Sequence, residues 1–365
     1  MMKDVLVIGQ GISGTFLTWW LEQKGLSFAV IDEERPSTAS RAAAGLINPV
    51  TGRRIVKTWM IDELLSFAEN AYASIGGELQ ISPLKPARVI DFFPTAQMRL
   101  AFLKRLEEDP QYLELPADEK AWNAQFRYDL GYGMITHCYL ADLPGLLPAW
   151  RRHLLQQNVL DQSPFDPASL IIEKEQILYR DITARHIIFC DGIESFDSPY
   201  FSRLPFAPNK GEALILDIPD WSPGPAAPLS DPSFTPAVPI FKKGMTLAPW
   251  KDGLFWVGSS YEWSFSDPNP TEAFLQRTEA LLKDWLKPSF RVLDHIASVR
   301  PATLERRPFA GFHPLHPRVG ILNGMGTKGC SLAPYFAHQL VEHIVNGKAI
   351  RPDADVRRFT KILSR

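Results

Sequence analysis

The sequence predicts an α/β unit on a mainly parallel sheet, interleaved with an α+β unit on a mainly antiparallel sheet. Three observations carry this. Residues 4–33 read as strand, glycine turn, amphipathic helix and second strand. Residues 319–347 read as strand, glycine turn and helix, stopped by Asn346-Gly347. Between them, residues 205–260 hold short apolar runs separated by Pro, Gly and Asp, the signature of antiparallel strands.

The elements follow in order. The strand Val5–Ile8 is apolar throughout, as a central parallel strand must be. Phe16, Leu17, Trp20 and Leu21 mark a helix, and Phe28–Ile31 a second strand. Small residues fill 36–54 as a loop. A helix is predicted over 60–75 from Leu64, Leu65, Phe67, Ala68, Ala71 and Tyr72. A strand over 87–93 and helices over 96–108 and 143–157 come next. Ile187–Cys190 reads as a short buried strand ending at Asp191-Gly192, residues 271–285 as a helix, and 334–345 as the last helix. The strands near residues 5, 187 and 319 belong together. Residues 1–80, 140–200 and 296–365 are therefore assigned to one unit, and 81–139 and 201–295 to the other.

Bulk properties narrow the function. The chain has 365 residues, 45% apolar and 22% charged, ordinary for a globular protein with about two domains. The formal net charge is -2, so no basic surplus points to a nucleic-acid partner. Cys138, Cys190 and Cys330 are far apart, odd in number and form no CxxC, which argues against disulfides or zinc and for a reducing cytoplasm. No apolar stretch approaches the roughly 18 residues of a membrane span. The first apolar run passes straight into a glycine turn, unlike a signal peptide.

Residues 4–14, DVLVIGQGISG, carry the chemistry. Gly9 permits a tight turn, Gly11 lets the backbone approach a diphosphate, and Gly14 lets the helix pack on the strand. The amides near Ile12 and Ser13 open that helix and offer donors to phosphate. Asp32 ends the second strand, close to the roughly 20-residue offset expected of the acid that binds a ribose diol. It could alternatively be a strand-end helix cap. An acid there disfavours a 2′-phosphate. The unit is therefore Rossmann-like and binds a dinucleotide. The fingerprint alone leaves FAD and NAD both open.

The rest of the chain resembles the D-amino acid oxidase superfamily of FAD-dependent oxidoreductases, in its glycine oxidase and sarcosine oxidase branch. The resemblance rests on five segments: the fingerprint with Asp32; SRAAAGLINP, residues 40–49; TARHIIFCDG, 183–192; Lys210-Gly211-Glu212 with LAPWKDGLFWVGSSYE, 247–262; and VRPATLERRPFAGF, 299–312, followed by ILNGMGTKGCSLAP, 321–334. It implies non-covalent FAD as cofactor. Ser40, Arg41, Ala44, Gly45 and Leu46 would then lie along the diphosphate and flavin, and Gly192 near the adenosine. Gly324, Gly326, Thr327, Lys328 and Gly329 would face the flavin pyrimidine edge, where Lys328 could add a full positive charge. Lys328 is the only candidate catalytic side chain, since FAD carries the reactivity.

The resemblance also places Arg300 on the substrate carboxylate, a contact that suits a planar guanidinium. The alternative is a structural ion pair with an acid such as Glu305. The stretch Met245-Thr246-Leu247-Ala248 lacks the tyrosine that many amino acid oxidases carry there, so Tyr261 is the candidate hydroxyl. Arg53, Arg54 and Lys57 could attract an acidic substrate or be a solvated face. His313 and His316 read as turn residues, without a metal site. The implied reaction is oxidation of the C–N bond of an amine or amino acid by hydride transfer to flavin N5. The imine is then hydrolysed, and electrons pass to oxygen or another acceptor. Two alternatives remain. One is an oxidase acting on carboxymethylaminomethyl uridine in tRNA, suggested by GMGTKGCSLAP. The other is a non-catalytic flavin-binding protein.

Overall fold

The computed structural model describes residues 1–221 and 238–365. Part of the 205–260 strand region, residues 222–237, thus lies outside the described residues. Two large sheets organise the rest. The first has eight strands. Lys3–Ile8 sits centrally, parallel to Phe28–Ile31 on one side and to Ile182–Phe189 on the other. Val319–Asn323 continues the parallel set by pairing with the C-terminal half of Ile182–Phe189. Alternation along the central strand is visible in its packing. Val5 and Val7 face the larger core, while Leu6 and Ile8 face the smaller one on the opposite side. The helices Ile12–Gln23, Ile61–Leu79 and Gly329–Asn346 pack together over the first of these faces.

The second sheet has nine strands, with Arg291–Arg300 next to Asn209–Asp217, then Phe255–Gly258, Met245–Pro249 and Val238–Lys243. Leu84–Phe92, Tyr132–Ala141 and Leu46–Ile47 follow. It is mainly antiparallel, as the sequence predicts, with one exception: Val238–Lys243 runs parallel to Leu84–Phe92. That pairing joins segments about 150 residues apart, which local patterning cannot reveal. One face of this sheet buries an aromatic cluster including Phe92, Phe126, Phe241, Phe274 and Trp285. Edge and tilted ring contacts hold it together.

Most elements begin within a few residues of where patterning puts them. The last helix differs: it starts at Gly329, five residues before Pro334. Proline favours a first helical turn and so draws the eye to residue 334. Here it lies inside the helix, one turn beyond its start. No helix among the described residues is long and apolar enough to cross a membrane.

Candidate active site

A cavity of about 900 Å³ opens between the two sheets. Its size is at the upper end of ordinary ligand sites. The first sheet contributes the glycine turn after Lys3–Ile8. Gly9 has φ +97, and a side chain there would meet the Cys190 carbonyl oxygen at 2.6 Å. A Cβ on Gly14 would come within 1.9 Å of the Gly9 oxygen, so Gly14 does set how closely the helix approaches the strand. Gly11, Ile12 and Ser13 line the cavity. The helix they open has glycine as its N-cap, no acid in its first turn and no side-chain cap. Its positive end therefore faces the cavity. The Ile12 amide donates to Ser40 Oγ at 3.0 Å, and a Cβ on Gly11 would lie 3.0 Å from that hydroxyl oxygen.

Asp32 lies at the cavity with its carboxylate held by neighbouring donors. It accepts from the Gln10 amide (2.8 Å), the Glu34 amide (2.9 Å) and Arg151 Nη1 (2.6 Å). The loop at 42–46 forms another wall. Gly45 has φ +86, and a Cβ there would strike the Ala141 oxygen at 2.0 Å. Ala44 and Leu46 flank it in the cavity wall, and Trp256 Nε1 ties the loop to the second sheet by donating to the Ala42 oxygen at 3.0 Å. Gly192 lines the same cavity, as do Gly326, Thr327, Lys328 and Gly329. Lys328 caps the long helix; burial, then the nearby Arg306 and Arg307, hold its ammonium pKa below the usual lysine value.

On the second sheet, Arg300 lines the cavity and is held by neutral groups. Nη1 donates to Asn209 Oδ1 at 2.6 Å, and Nη2 to Ser259 Oγ at 2.7 Å. The expected alternative of an ion pair with Glu305 does not form; Glu305 accepts from Arg358 Nε at 3.2 Å. Gly211 makes room for the guanidinium, since a Cβ there would sit 1.8 Å from Nη2. Tyr261 places its ring centroid 5.7 Å from the guanidinium carbon. It is half exposed and not in the cavity wall.

Gly14, Arg41 and Gly324 likewise stand behind the wall rather than in it. Arg41 pairs with Glu34 at 3.2 Å, and the Gly324 amide donates to Asn323 Oδ1 at 2.8 Å. Thr51 and Gly52 line the cavity at a hairpin whose turn exposes Arg53 and Arg54. Lys57 is engaged with Asp62 at 2.8 Å. His313 Nδ1 accepts from the Leu315 and His316 amides, and no metal-binding cluster occurs among the described residues.

Sequence reasoning missed three wall features. Lys242 donates to the buried Asp91 at 2.7 Å, joining the two strands whose parallel pairing was not foreseen. Trp256 and Gly258 face the cavity together on one strand; only the alternation of FWVG hints at this. Asp191 is half-buried beside Ser195, which donates to it at 2.5 Å; partial burial pushes its carboxyl pKa up to about 7.

The residues fit FAD. The cavity is continuous from the glycine turn to Arg300, and Gly11 and Gly45 present no side chain to its wall, the latter against the Ala141 backbone. The family model for FAD dependent oxidoreductases matches residues 4–343. A glycine oxidase from Pseudomonas putida is 24% identical over 358 residues, covering 92% of each chain. The crystal structure of glycine oxidase from Geobacillus kaustophilus aligns with TM-score 0.75 at 15% identity, over 96% of both chains. That of iminodiacetate oxidase from Chelativorans sp. BNC1 aligns with TM-score 0.70 at 21% identity, over 95% of this chain and 96% of that one.

Proposed function

The chain belongs to the family of FAD-dependent oxidoreductases, and from that premise we propose that it oxidises the C–N bond of a carboxylated amine or amino acid. The observation that carries this is Arg300. It is a cavity-lining guanidinium with no acid partner among the described residues, held in place by Asn209 and Ser259. A charge held by neutral acceptors keeps its affinity for an incoming carboxylate. The glycine oxidase and iminodiacetate oxidase likenesses support the same substrate class.

The first sheet and its helices hold the FAD, non-covalently, and the second sheet presents the substrate. Ile12 and Ser13 take the diphosphate, Asp32 the ribose, Gly192 the adenosine end, and the turn 324–329 the flavin edge. FAD, when bound, would supply the two-electron acceptor for hydride from the carbon beside the substrate nitrogen. Arg300 orients that carbon by fixing the carboxylate next to it. The substrate amine must be neutral when hydride leaves. Arg300 and Lys328 promote this, because nearby positive charge disfavours an ammonium; no separate base is needed. The imine released hydrolyses to a carbonyl compound and ammonia or a smaller amine, and oxygen or another acceptor takes the electrons. The three free, buried cysteines suit a reducing cytoplasm.

An anaerobic screen tests this reading. Amino acids, N-methylated amino acids and simple amines are added to the FAD-loaded protein, and the flavin colour is followed. Bleaching by carboxylated members is expected. A spectrum that none of them bleaches would overturn the proposal.

A further inference from the structure

On the cavity face of the second sheet, Gly211 and Gly258 each give up side-chain space to a larger neighbour. Gly211 makes room for the Arg300 guanidinium. Gly258 does the same for Trp256, since a Cβ there would lie 2.7 Å from the indole Cη2. The two glycines are close. Ala213 pairs directly with Gly258, so Gly211, two residues before Ala213, is the diagonal neighbour of Gly258 on the same face. Diagonal neighbours in antiparallel strands stand roughly 7–8 Å apart. The guanidinium and the tip of the indole, each lying over one of these glycines, face each other across a gap of about that width. Ser259, next to Gly258, accepts from Arg300 Nη2 at 2.7 Å and fixes the guanidinium at its end of the gap. The indole is fixed at the other end. Its Nε1 donates to the Ala42 oxygen at 3.0 Å, and its buried ring clusters with Ala213 and Ile215, backed by Ala44 and Ile296. A close-packed ring with a hydrogen bond at its far edge does not swing aside.

This gap sets a limit on what Arg300 can hold. A carboxylate uses about 2.8 Å of it for the hydrogen bond to the guanidinium. An atom touching the ring stands about 3.5–4.0 Å from it. What remains takes the carboxylate and the carbon beside it, and little more. We propose that Trp256 is a specificity-determining residue: its indole closes the pocket over the carbon next to the carboxylate, so the preferred substrates carry no branched or bulky side chain on that carbon. Gly258 is the residue that lets the ring reach this position. The proposal rests on the reading above in taking Arg300 as the carboxylate site, but not on the oxidation itself, and binding alone tests it.

The holoenzyme is titrated with acetate, propionate, isobutyrate and pivalate, none of which is an amine, while perturbation of the flavin spectrum is followed. Affinity is expected to fall along this series, with pivalate about tenfold or more weaker than acetate, the effect of overpacking a close-packed site. In W256A the order should level or reverse, because added methyl groups then bury apolar surface instead of meeting the ring. W256L keeps the wall apolar and should shift the order the same way; the flavin colour of each variant shows that cofactor is retained. Equal affinity across the series in the wild-type protein, or a fall that persists unchanged in flavin-retaining variants, would overturn the size limit and leave Arg300 as the carboxylate site. No perturbation by any of the four would remove that site and the size limit with it. A size-graded series without bleaching by any amine would leave the role of Trp256 standing and remove the proposed reaction.

Discussion

Arg300 shows how the surroundings of a residue decide which partners it has. Its sequence context, VRPATLERRP, is rich in charge and equally suits an ion pair. The structure decides otherwise, because Glu305 is taken by Arg358 and because Gly211 leaves space for the guanidinium. Arg300→Ala is expected to raise KM for a carboxylated amine by one to two orders of magnitude, about 1.5–3 kcal/mol for a charge-assisted contact. Gly211→Ala, whose methyl would overlap Nη2, should share that defect while the protein keeps its flavin colour. Steady-state kinetics check both, and an unchanged KM in R300A would remove Arg300 from the site. Asp191 gives a pH-dependent prediction. Partial burial raises its folded pKa to about 7 from the ordinary aspartate value. A raised carboxyl pKa contributes stability at low pH that is lost as pH rises through the folded value. Asp191→Asn, which keeps an acceptor for Ser195, should therefore gain stability relative to wild type between about pH 4 and 7, then level off. Thermal unfolding of both proteins across pH measures this; a constant difference would contradict it.

At the scale of elements, the glycine turns explain what could be read and what could not. Gly9, Gly11 and Gly14 are legible because each answers a local backbone demand: a left-handed turn, an open approach and a close helix contact. Gly11→Val is expected to give colourless protein that does not retain FAD, read from the visible spectrum after purification; a yellow mutant would refute that role. The start of the final helix was less legible, since Pro334 imitates a first turn while the chain has already been helical from Gly329. Lys242 with Asp91 was invisible. They meet only because Val238–Lys243 and Leu84–Phe92 lie parallel, and register between distant strands leaves no local trace. The sequence offers Tyr261 for the hydroxyl that the strand Met245–Pro249 lacks. It sits instead as a half-exposed ring against Arg300.

At the scale of the whole molecule, strands from both ends and the middle of the chain build the first sheet, and the intervening segments build the second. This interleaving places the cavity between sheets rather than within either, so neither glycine turn makes the site alone. Composition is that of an ordinary globular protein and does not reveal that Arg300 faces the cavity held by neutral groups; a net charge of -2 conceals it. The central claim is that both glycine turns and Arg300 address one bound FAD and one carboxylate. A crystal structure of the protein with FAD and acetate tests it most directly. The account predicts the diphosphate against the amides of Ile12 and Ser13, the flavin beside the 324–329 turn, and acetate on the Arg300 guanidinium. FAD bound away from either turn, or acetate bound elsewhere with Arg300 unengaged, would contradict it.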